Sequence, residues 1–200
     1  MTAVSLERRR TYHVGNVKGQ LLAAARDILQ ESGRAGLSLR AIADRAGVAP
    51  GTVYYHYADK AALLAGLAVD GFRQLAETMR LAYEGRGEDS GLRSTGLAYI
   101  GFLREKPELY ELMFEARDAG RRDDVMAAEA EAIAVSQMAI MGDFSTQHSP
   151  ELAQMMAEAI WAWGRGIAAV ALSRAHPGSG PEDETLASAL RGLEALIVGR

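Results

Sequence analysis

The chain has 200 residues, 48% hydrophobic and 24% charged, and its 22 Lys plus Arg against 26 Asp plus Glu give a formal net charge of −4. These proportions are those of a globular protein and exclude disordered and collagen-like chains. The sequence contains no Cys, which excludes disulfides, thiolate metal sites and a cysteine nucleophile.

Two segments bear on the cellular compartment that we expect: the N-terminus, as a possible signal peptide, and the longest apolar stretch, as a possible membrane span. Glu7 and the run Arg8–Arg10 leave no apolar segment of signal-peptide length at the start. The longest apolar stretch, Ala159–Leu172, is interrupted by Arg165 and is shorter than the roughly 18 to 20 residues of a membrane span. We therefore expect a cytoplasmic protein with no membrane partner, and the isolated histidines predict no metal and no cofactor.

The net charge hides an asymmetry between two parts of the chain. Residues 1–60 carry nine basic and five acidic side chains, a net +4, whereas the remaining residues carry 13 basic and 21 acidic ones, a net −8. This partition predicts a basic module that touches a polyanion, carried on an acidic body with another role.

The periodicity of apolar residues predicts an all-α protein that begins with four helices. The first starts at Lys18 and stops at Ser32-Gly33. The second, short helix follows Ser38 as N-cap and ends before Gly47. Pro50 suits the first turn of the third helix, and the fourth runs from an Asp59 cap towards Tyr83.

A polar, glycine-rich segment over residues 84–91 predicts a loop between the basic module and the acidic body. Prolines at helix-start positions and apolar periodicity then predict five further helices. They are Leu92–Glu105, Pro107–Arg117, Asp123–Met141, Pro150–Ser173 and Pro181–Val198.

Helices two and three have the spacing of a helix-turn-helix, in which the second of the two enters the DNA major groove. Ala43 permits close approach, Gly47 suits the turn, and Val53 fills the interface. With Val53 and Tyr57 turned inward, an unusual amount of aromatic surface is left exposed. The outward set is Pro50, Gly51, Thr52, Tyr54, Tyr55 and His56, with Lys60 at the head of the next helix.

Residues Lys18–Leu64 resemble the DNA-binding domain of TetR-family transcriptional regulators. The match is carried by Gly36-Leu37-Ser38, Ala46-Gly47-Val48, Gly51-Thr52-Val53-Tyr54-Tyr55-His56-Tyr57 and Lys60-Ala61-Ala62-Leu63-Leu64. The resemblance implies that Thr52, Tyr54, His56 and Lys60 grip phosphates, and that Arg40, Pro50, Gly51 and Tyr55 lie at or near base edges. Ala49 replaces the hydroxyl residue that often caps helix three. Since Pro50 and Gly51 offer almost no hydrogen-bonding side chain, specificity is expected to depend on Arg40, Tyr55, the N-terminal arm and DNA shape.

The acidic body resembles the branch of this family whose C-terminal domain carries a Trp-x-x-x-His-Gly signature. The similarity lies in Tyr99–Phe114 and Trp161–Gly166, and Arg165 stands where the signature has His. It implies a homodimer joined through the last two long helices. We predict three parts: a basic arm over 1–17, a helix-turn-helix domain over 18–64, and a regulatory and dimerisation domain over 65–200.

Seven side chains of the body are candidates to line a pocket for a small-molecule effector, and each has a structural alternative. At helical spacing most of the apolar ones are explained simply as core residues. Arg165 needs a carboxylate partner or an anionic ligand, or else it is a snorkelling or dimer-interface arginine. The seven are Phe102, Tyr110, Met113, Phe114, Met138, Trp161 and Arg165.

Together these features predict a repressor that leaves a palindromic operator when a small apolar or amphipathic effector binds. The alternatives are a helical adaptor that kept the helix-turn-helix shape, or an enzyme. No Gly-x-Ser-x-Gly, Gly-x-Gly-x-x-Gly, Walker loop or His-Glu-x-x-His is present, so we expect no catalysis. Arg8–Arg10 is either a minor-groove arm or a solvated tail.

Overall fold

The computed structural model describes residues 16–120, 123–144 and 149–172, together with residues 188, 191, 192 and 195. The described residues form α-helices and contain no strand, as predicted. A helix-turn-helix head (α1 to α3) precedes a larger helical body (α5 to α8), and α4 joins them. The helices are α1 Val17–Gly36, α2 Leu39–Ala46, α3 Pro50–His56, α4 Lys60–Glu84, α5 Gly91–Glu105, α6 Pro107–Gly120, α7 Asp123–Phe144 and α8 Pro150–Leu172.

Helix α1 differs from the prediction at its C-terminal end. The expected stop at Ser32-Gly33 is a kink, because Gly33 has φ 62° and ψ −168° and the helix resumes as far as Gly36. Glycine reaches this left-handed region of φ without the Cβ clash that penalises other residues. The kink leaves the last turn of α1 pointing along a new direction, and Arg34 in that turn pairs with Glu115 of α6.

Helix α4 connects the head with the body without a break. It begins after Asp59, whose Oδ1 accepts a hydrogen bond of 2.7 Å from the Ala62 amide, as expected for an N-cap. Its apolar face, including Leu67, Phe72 and Leu75, is fully buried against α1 on one side and α5, α6 and α7 on the other. The predicted domain boundary between residues 64 and 65 falls within this helix and stays a prediction.

The carboxylate of Asp143 ties the end of α7 to the start of α5. Oδ1 accepts from the Gly91 amide at 2.8 Å, and Oδ2 accepts from the Leu92 amide and the Ser90 hydroxyl, both at 2.9 Å. These amides belong to the first turn of α5, where backbone N–H groups lack helical partners and negative charge is favoured. Asp143 therefore acts as a cap supplied from another helix.

Helix α7 is the one described helix whose length and composition would let it cross a membrane. A core helix passes the same test, and α7 packs against α4, α5 and α8. Val125, Ala128, Ala132 and Ile140 on its inner side are buried. We interpret α7 as a core helix of the body.

Helix α8 buries one face and exposes the other. Ala153, Ala157, Trp161 and Ala168 are buried, and α8 packs on α7. The predicted final helix, Pro181–Val198, lies almost wholly outside the described residues. The part of the basic arm before Asn16 and the predicted last residue of α8, Ser173, also lie outside them.

Candidate nucleic-acid interface and ligand cavity

The turn between α2 and α3 has the conformation that a helix-turn-helix requires. Ser38 Oγ accepts from the Ala41 amide at 3.1 Å and caps α2. Gly47 ends α2 in the left-handed conformation (φ 69°), and the Val48 amide then donates to the Ala43 carbonyl at 3.0 Å. This closure sends the chain directly into α3.

The two faces of α3 differ as predicted in burial. Val53 and Tyr57 are buried in the core of the head, whereas Tyr54 and Tyr55 are 59% and 86% exposed. His56 is half-buried and meets the Tyr55 ring edge-on, with 5.2 Å between ring centroids. Since aromatic side chains are seldom left this exposed, the face of α3 has the properties of a contact surface.

The remaining predicted interface residues surround this face. Thr52 is half-buried, Pro50 and Gly51 are exposed at the start of α3, and Arg40 and Lys60 are exposed on the flanking helices. Ala49 precedes α3 without a side-chain cap, so its exposed first turn presents only backbone and proline.

The cations of the head fall into two groups. Arg45 donates to both oxygens of Glu31, at 3.0 and 2.5 Å, and these bonds lower the pKa of the Glu31 carboxyl. Arg26 pairs with Asp70 of α4. Arg40 and Lys60 make no ion pair with any residue that the structure describes. Their charges are therefore available to an incoming polyanion, whereas those of Arg26 and Arg45 are neutralised locally.

An apolar cavity lies in the body between α5 and α8. One of the predicted ligand residues, Trp161, lines it. The cavity volume is about 50 Å³, well below the roughly 300 Å³ and more of typical ligand sites. We call it the inner cavity. Its lining is Met79, Leu92, Thr95, Gly96, Tyr99, Ile100, Leu103, Ser136, Ile160, Trp161, Trp163, Gly164 and Ile167.

A second space, the outer cleft, brings together three of the predicted ligand residues. It has a volume of about 360 Å³ and lies between α6 and α8. Its lining is Tyr110, Glu111, Phe114, Arg165, Ala169 and Leu172. The other predicted residues lie apart, since Phe102 and Met113 are buried in the core and Met138 is exposed.

An aromatic layer separates the two spaces. The Tyr99 and Tyr110 hydroxyls are hydrogen-bonded to each other, and the ring of Tyr99 meets that of Trp161 edge-on at 5.9 Å. The Phe114 ring packs against Tyr110 at 4.8 Å and against Trp161 at 6.4 Å. Burial raises the pKa of Tyr99 and, to about 12, that of Tyr110, so both hydroxyls keep their protons at neutral pH.

Arg165 stands at the outer side of this layer. Its guanidinium carbon lies 4.5 Å from the centre of the Phe114 ring, and Nη2 lies 3.5 Å from Asp118 Oδ2. The separation from Asp118 is long for a charge-assisted hydrogen bond, which is usually 2.7 to 2.9 Å. The prediction that Arg165 needs a carboxylate partner is thus met only loosely within the chain.

Sequence reasoning missed Glu129, the buried carboxylate behind the layer. Its Oε1 accepts from Trp161 Nε1 at 3.1 Å, and its Oε2 accepts from Arg117 Nε at 3.0 Å. One signal was present in the sequence: Glu129 falls four residues after Val125 and three before Ala132, both buried positions of α7. A carboxylate at that spacing faces inward and needs partners.

Polar contacts also connect the body with the head. Arg34 of α1 pairs with Glu115 of α6, two residues before Arg117 in the same helix. Lys106 Nζ, between α5 and α6, donates to Gln74 Oε1 of α4 at 3.0 Å. Among the described residues, no group of three or more His, Cys, Asp or Glu side chains could hold a metal.

A helix-turn-helix head with a free aromatic and basic face, fixed to a helical body with a ligand-sized cleft, defines a DNA-binding regulator of transcription. The chain belongs to the TetR family of bacterial regulatory proteins. The model of that family's DNA-binding domain, described as bacterial regulatory proteins of the tetR family, matches residues 21–67. The model described as the tetracyclin repressor-like C-terminal domain matches residues 92–196.

Individual relatives agree with this assignment. The chain is similar to the uncharacterized HTH-type transcriptional regulator YobS of Bacillus subtilis (strain 168), at 33% identity over 98 residues, which are 49% of this chain and 51% of that protein. The chain thus spans about half the length of this curated relative. A protein of unknown function from Rhodococcus sp. RHA1 has a similar structure, with TM-score 0.72, 27% identity, and 92% and 96% of the two chains covered. A transcriptional regulator from Rhodococcus sp. Rha1 shares the fold at TM-score 0.63 and 23% identity, over 92% and 96% of the two chains.

Proposed function

We propose that this TetR-family chain is a homodimeric repressor that binds a roughly palindromic operator in the cytoplasm and releases it when a small apolar or amphipathic effector enters the body. The observation that carries the proposal is the exposed face of α3, where Tyr54 and Tyr55 stand out to solvent. Arg40 and Lys60 add two positive charges on the flanking helices. Groups of this kind donate to phosphates or contact base edges.

The roles proposed for the interface residues are those that the family resemblance implies, and the chemistry of most of them is compatible with these roles. Hydroxyls, an imidazole and an ammonium group serve phosphate oxygens, whereas an exposed guanidinium reaches base edges and an exposed ring meets a thymine methyl. The proposed phosphate contacts are Thr52, Tyr54, His56 and Lys60, and the proposed base-edge contacts are Arg40, Pro50, Gly51 and Tyr55.

The exposed face of α8 supports the proposed homodimer. Ala159, Ala162 and Gly166 recur at three- and four-residue intervals and are exposed. Small side chains at this spacing allow a second helix to approach closely, and a two-fold interface uses the same face on both protomers. We propose that α8 pairs with its counterpart there, with the final predicted helix completing the bundle.

The contacts between the body and the head support a mechanical link. Two recognition helices fit successive major grooves only when they stand about 34 to 36 Å apart. Movement of α6 would pull on α1 through the Glu115–Arg34 pair, and movement at Lys106 would reach α4 through Gln74. An effector that shifts these helices by a few ångströms would change the distance between the two heads. The dimer could then no longer contact both operator half-sites at once.

Fluorescence anisotropy with a labelled random-sequence duplex tests the DNA-binding part of the proposal. We expect binding at low salt with a linear, steep fall of log K against log salt concentration. No binding at low salt would refute it in favour of a helical adaptor. With an operator selected from a random pool, run-off transcription then tests repression: added protein is expected to lower the transcript, and a rise would refute the repressor role.

A further inference from the structure

The aromatic layer between the inner cavity and the outer cleft carries one hydrogen-bond donor that lacks an acceptor among the described residues. The Tyr99 and Tyr110 hydroxyls are paired, and each residue is more than nine-tenths buried. A pair of hydroxyls has two protons but uses only one in the mutual bond. The second O–H proton has no acceptor among the described residues, because each hydroxyl bonds only to the other. An unmet donor in a buried layer is costly unless a ligand supplies the acceptor.

Arg165 adds a positive charge at the same place. It lines the outer cleft with Tyr110 and Phe114, and its charge lowers the pKa of both tyrosines, against the larger effect of burial. Its partner Asp118 is more than half exposed and stays at 3.5 Å. The buried carboxylate behind the layer, Glu129, is occupied by Trp161 and Arg117. The donors of the layer therefore outnumber the acceptors that this part of the chain provides.

The sizes of the inner cavity and the outer cleft limit which ligand they could hold. The inner cavity is apolar and too small to hold a ligand unless Tyr99 or Trp161 moves, whereas the outer cleft already has a ligand-sized volume. The outer cleft carries Arg165 and, at its exposed rim, Glu111. An occupant would place an acceptor at the tyrosine pair and Arg165, and would insert an apolar chain past the aromatic layer.

We infer that the effector is an amphipathic carboxylate, an apolar chain or ring with one carboxylate group. The carboxylate accepts from the guanidinium of Arg165 in place of Asp118 and from the surplus O–H proton of the Tyr99–Tyr110 pair. The apolar part fills the inner cavity between α5 and α8. Planar carboxylates match the paired N–H groups of arginine, which favours this anion over a spherical one. This inference rests on the proposed function only in calling the ligand an effector, since binding is measured without DNA.

The chain contains its own reporter of binding, because its only two tryptophans, Trp161 and Trp163, both line the inner cavity. The probes are octanoate, 1-octanol and octyltrimethylammonium, which share an eight-carbon chain and differ in head group. Titration of the intact protein with each probe, followed by tryptophan fluorescence, is expected to show saturable binding of octanoate about tenfold or more tighter than that of the other two.

Substitutions at Arg165 and at the tyrosine pair test where the carboxylate of octanoate binds. Arg165→Gln is expected to raise the Kd of octanoate about tenfold or more and to change that of 1-octanol less than about twofold. The double variant Y99F/Y110F, which keeps the rings, is expected to weaken octanoate selectively in the same way. Arg73→Gln, which removes an exposed arginine paired with Glu131 at 3.8 Å, is the matched control and should leave both affinities unchanged.

Three outcomes would overturn the inference: no saturable signal with octanoate, binding of 1-octanol or octyltrimethylammonium as tight as that of octanoate, or an unchanged ratio in both Arg165→Gln and Y99F/Y110F. Circular dichroism confirms that each variant is folded, and the tyrosine variant tests the site even where the arginine variant fails to fold. Failure of DNA binding would refute the proposed function but leave octanoate binding to be judged separately.

Discussion

Replacement of Glu129 by Ala is expected to lower the free energy of unfolding by about 2 to 4 kcal/mol. Glu129 is buried in α7 and accepts hydrogen bonds from two other helices, from Trp161 in α8 and from Arg117 in α6. Its removal leaves the indole N–H without a partner in the interior. It also returns Arg117 to a single carboxylate, that of Asp118 at 2.9 Å.

The magnitude is the sum of two unequal losses. A hydrogen bond to a buried carboxylate is worth about 1.5 to 3 kcal/mol, and the Trp161 bond is of this kind. The Arg117 bond is worth less, about 1 kcal/mol or below, because more than a third of that side chain is exposed and solvent screens its charge. Glu129→Gln retains an amide oxygen for Trp161 and loses only the charge, so we expect a loss of about 1 kcal/mol.

Urea unfolding followed by tryptophan fluorescence measures these differences, at one fixed protomer concentration because the stability of the proposed dimer would depend on concentration. Glu131→Ala is the control, since Glu131 lies two residues further along α7, is exposed, and is paired with Arg73 only at 3.8 Å. It should cost less than about 0.5 kcal/mol. A loss below about 1 kcal/mol for Glu129→Ala, or equal losses for the two alanine variants, would refute the reasoning.

Three further predictions concern the head, the dimer and the core. Lys60→Gln is expected to weaken binding to all duplexes alike and to reduce the slope of log K against log salt by about 1, measured by anisotropy; altered sequence preference would contradict the phosphate role. Ala162→Glu should give a monomer in sedimentation, whereas Ala134→Glu, on the exposed side of α7, should not. Tyr57→Phe removes a buried hydroxyl without a hydrogen-bond partner and should raise the free energy of unfolding by up to about 1 kcal/mol in urea titrations. Burial and the Asp70 carboxylate raise the pKa of Tyr57 to about 12, above the unfolded value of 10, so the native protein should lose stability between pH 10 and 12 and the Phe variant should lose less.

The local parts of the fold were predictable because their causes are local. Ser38, Gly47 and Pro50 each determine the backbone within one turn of their own position, so the boundaries of α2 and α3 follow from residue types. Helical periodicity, which places Val53 and Tyr57 on one face, likewise separates them from the exposed Tyr54 and Tyr55. Helix C-terminal ends were less predictable. Gly33 kinks α1 instead of ending it, since a glycine in the left-handed region can do either, and α6 and α7 run beyond the predicted Arg117 and Met141 to Gly120 and Phe144.

The ligand site was harder to predict because its geometry depends on contacts between distant segments. Trp161 meets Glu129 across 32 residues, and Arg117 meets it across 12. Apolar side chains occur all round α7, so its sequence does not say which face is inward, and Met138 proves to be exposed. Tyr99, which lines the inner cavity and is hydrogen-bonded to Tyr110 of the outer cleft, was part of a family resemblance but was not assigned a site role. Patterns in a single sequence identify which residue types could line a site. The packing of α6, α7 and α8 decides which of those residues actually meet.

The clasp that Asp143 makes on the first turn of α5 fixes the N-terminal end of that helix. α5 has 15 residues and is therefore about 22 Å long. A tilt of about 5° about the fixed end moves the other end by about 2 Å, a distance set by the length of the helix alone. The moving end is the one beside Lys106, which holds Gln74 of α4. A small rotation of the wall of the inner cavity would thus displace the contact between Lys106 and α4, the helix that begins at the DNA-reading head.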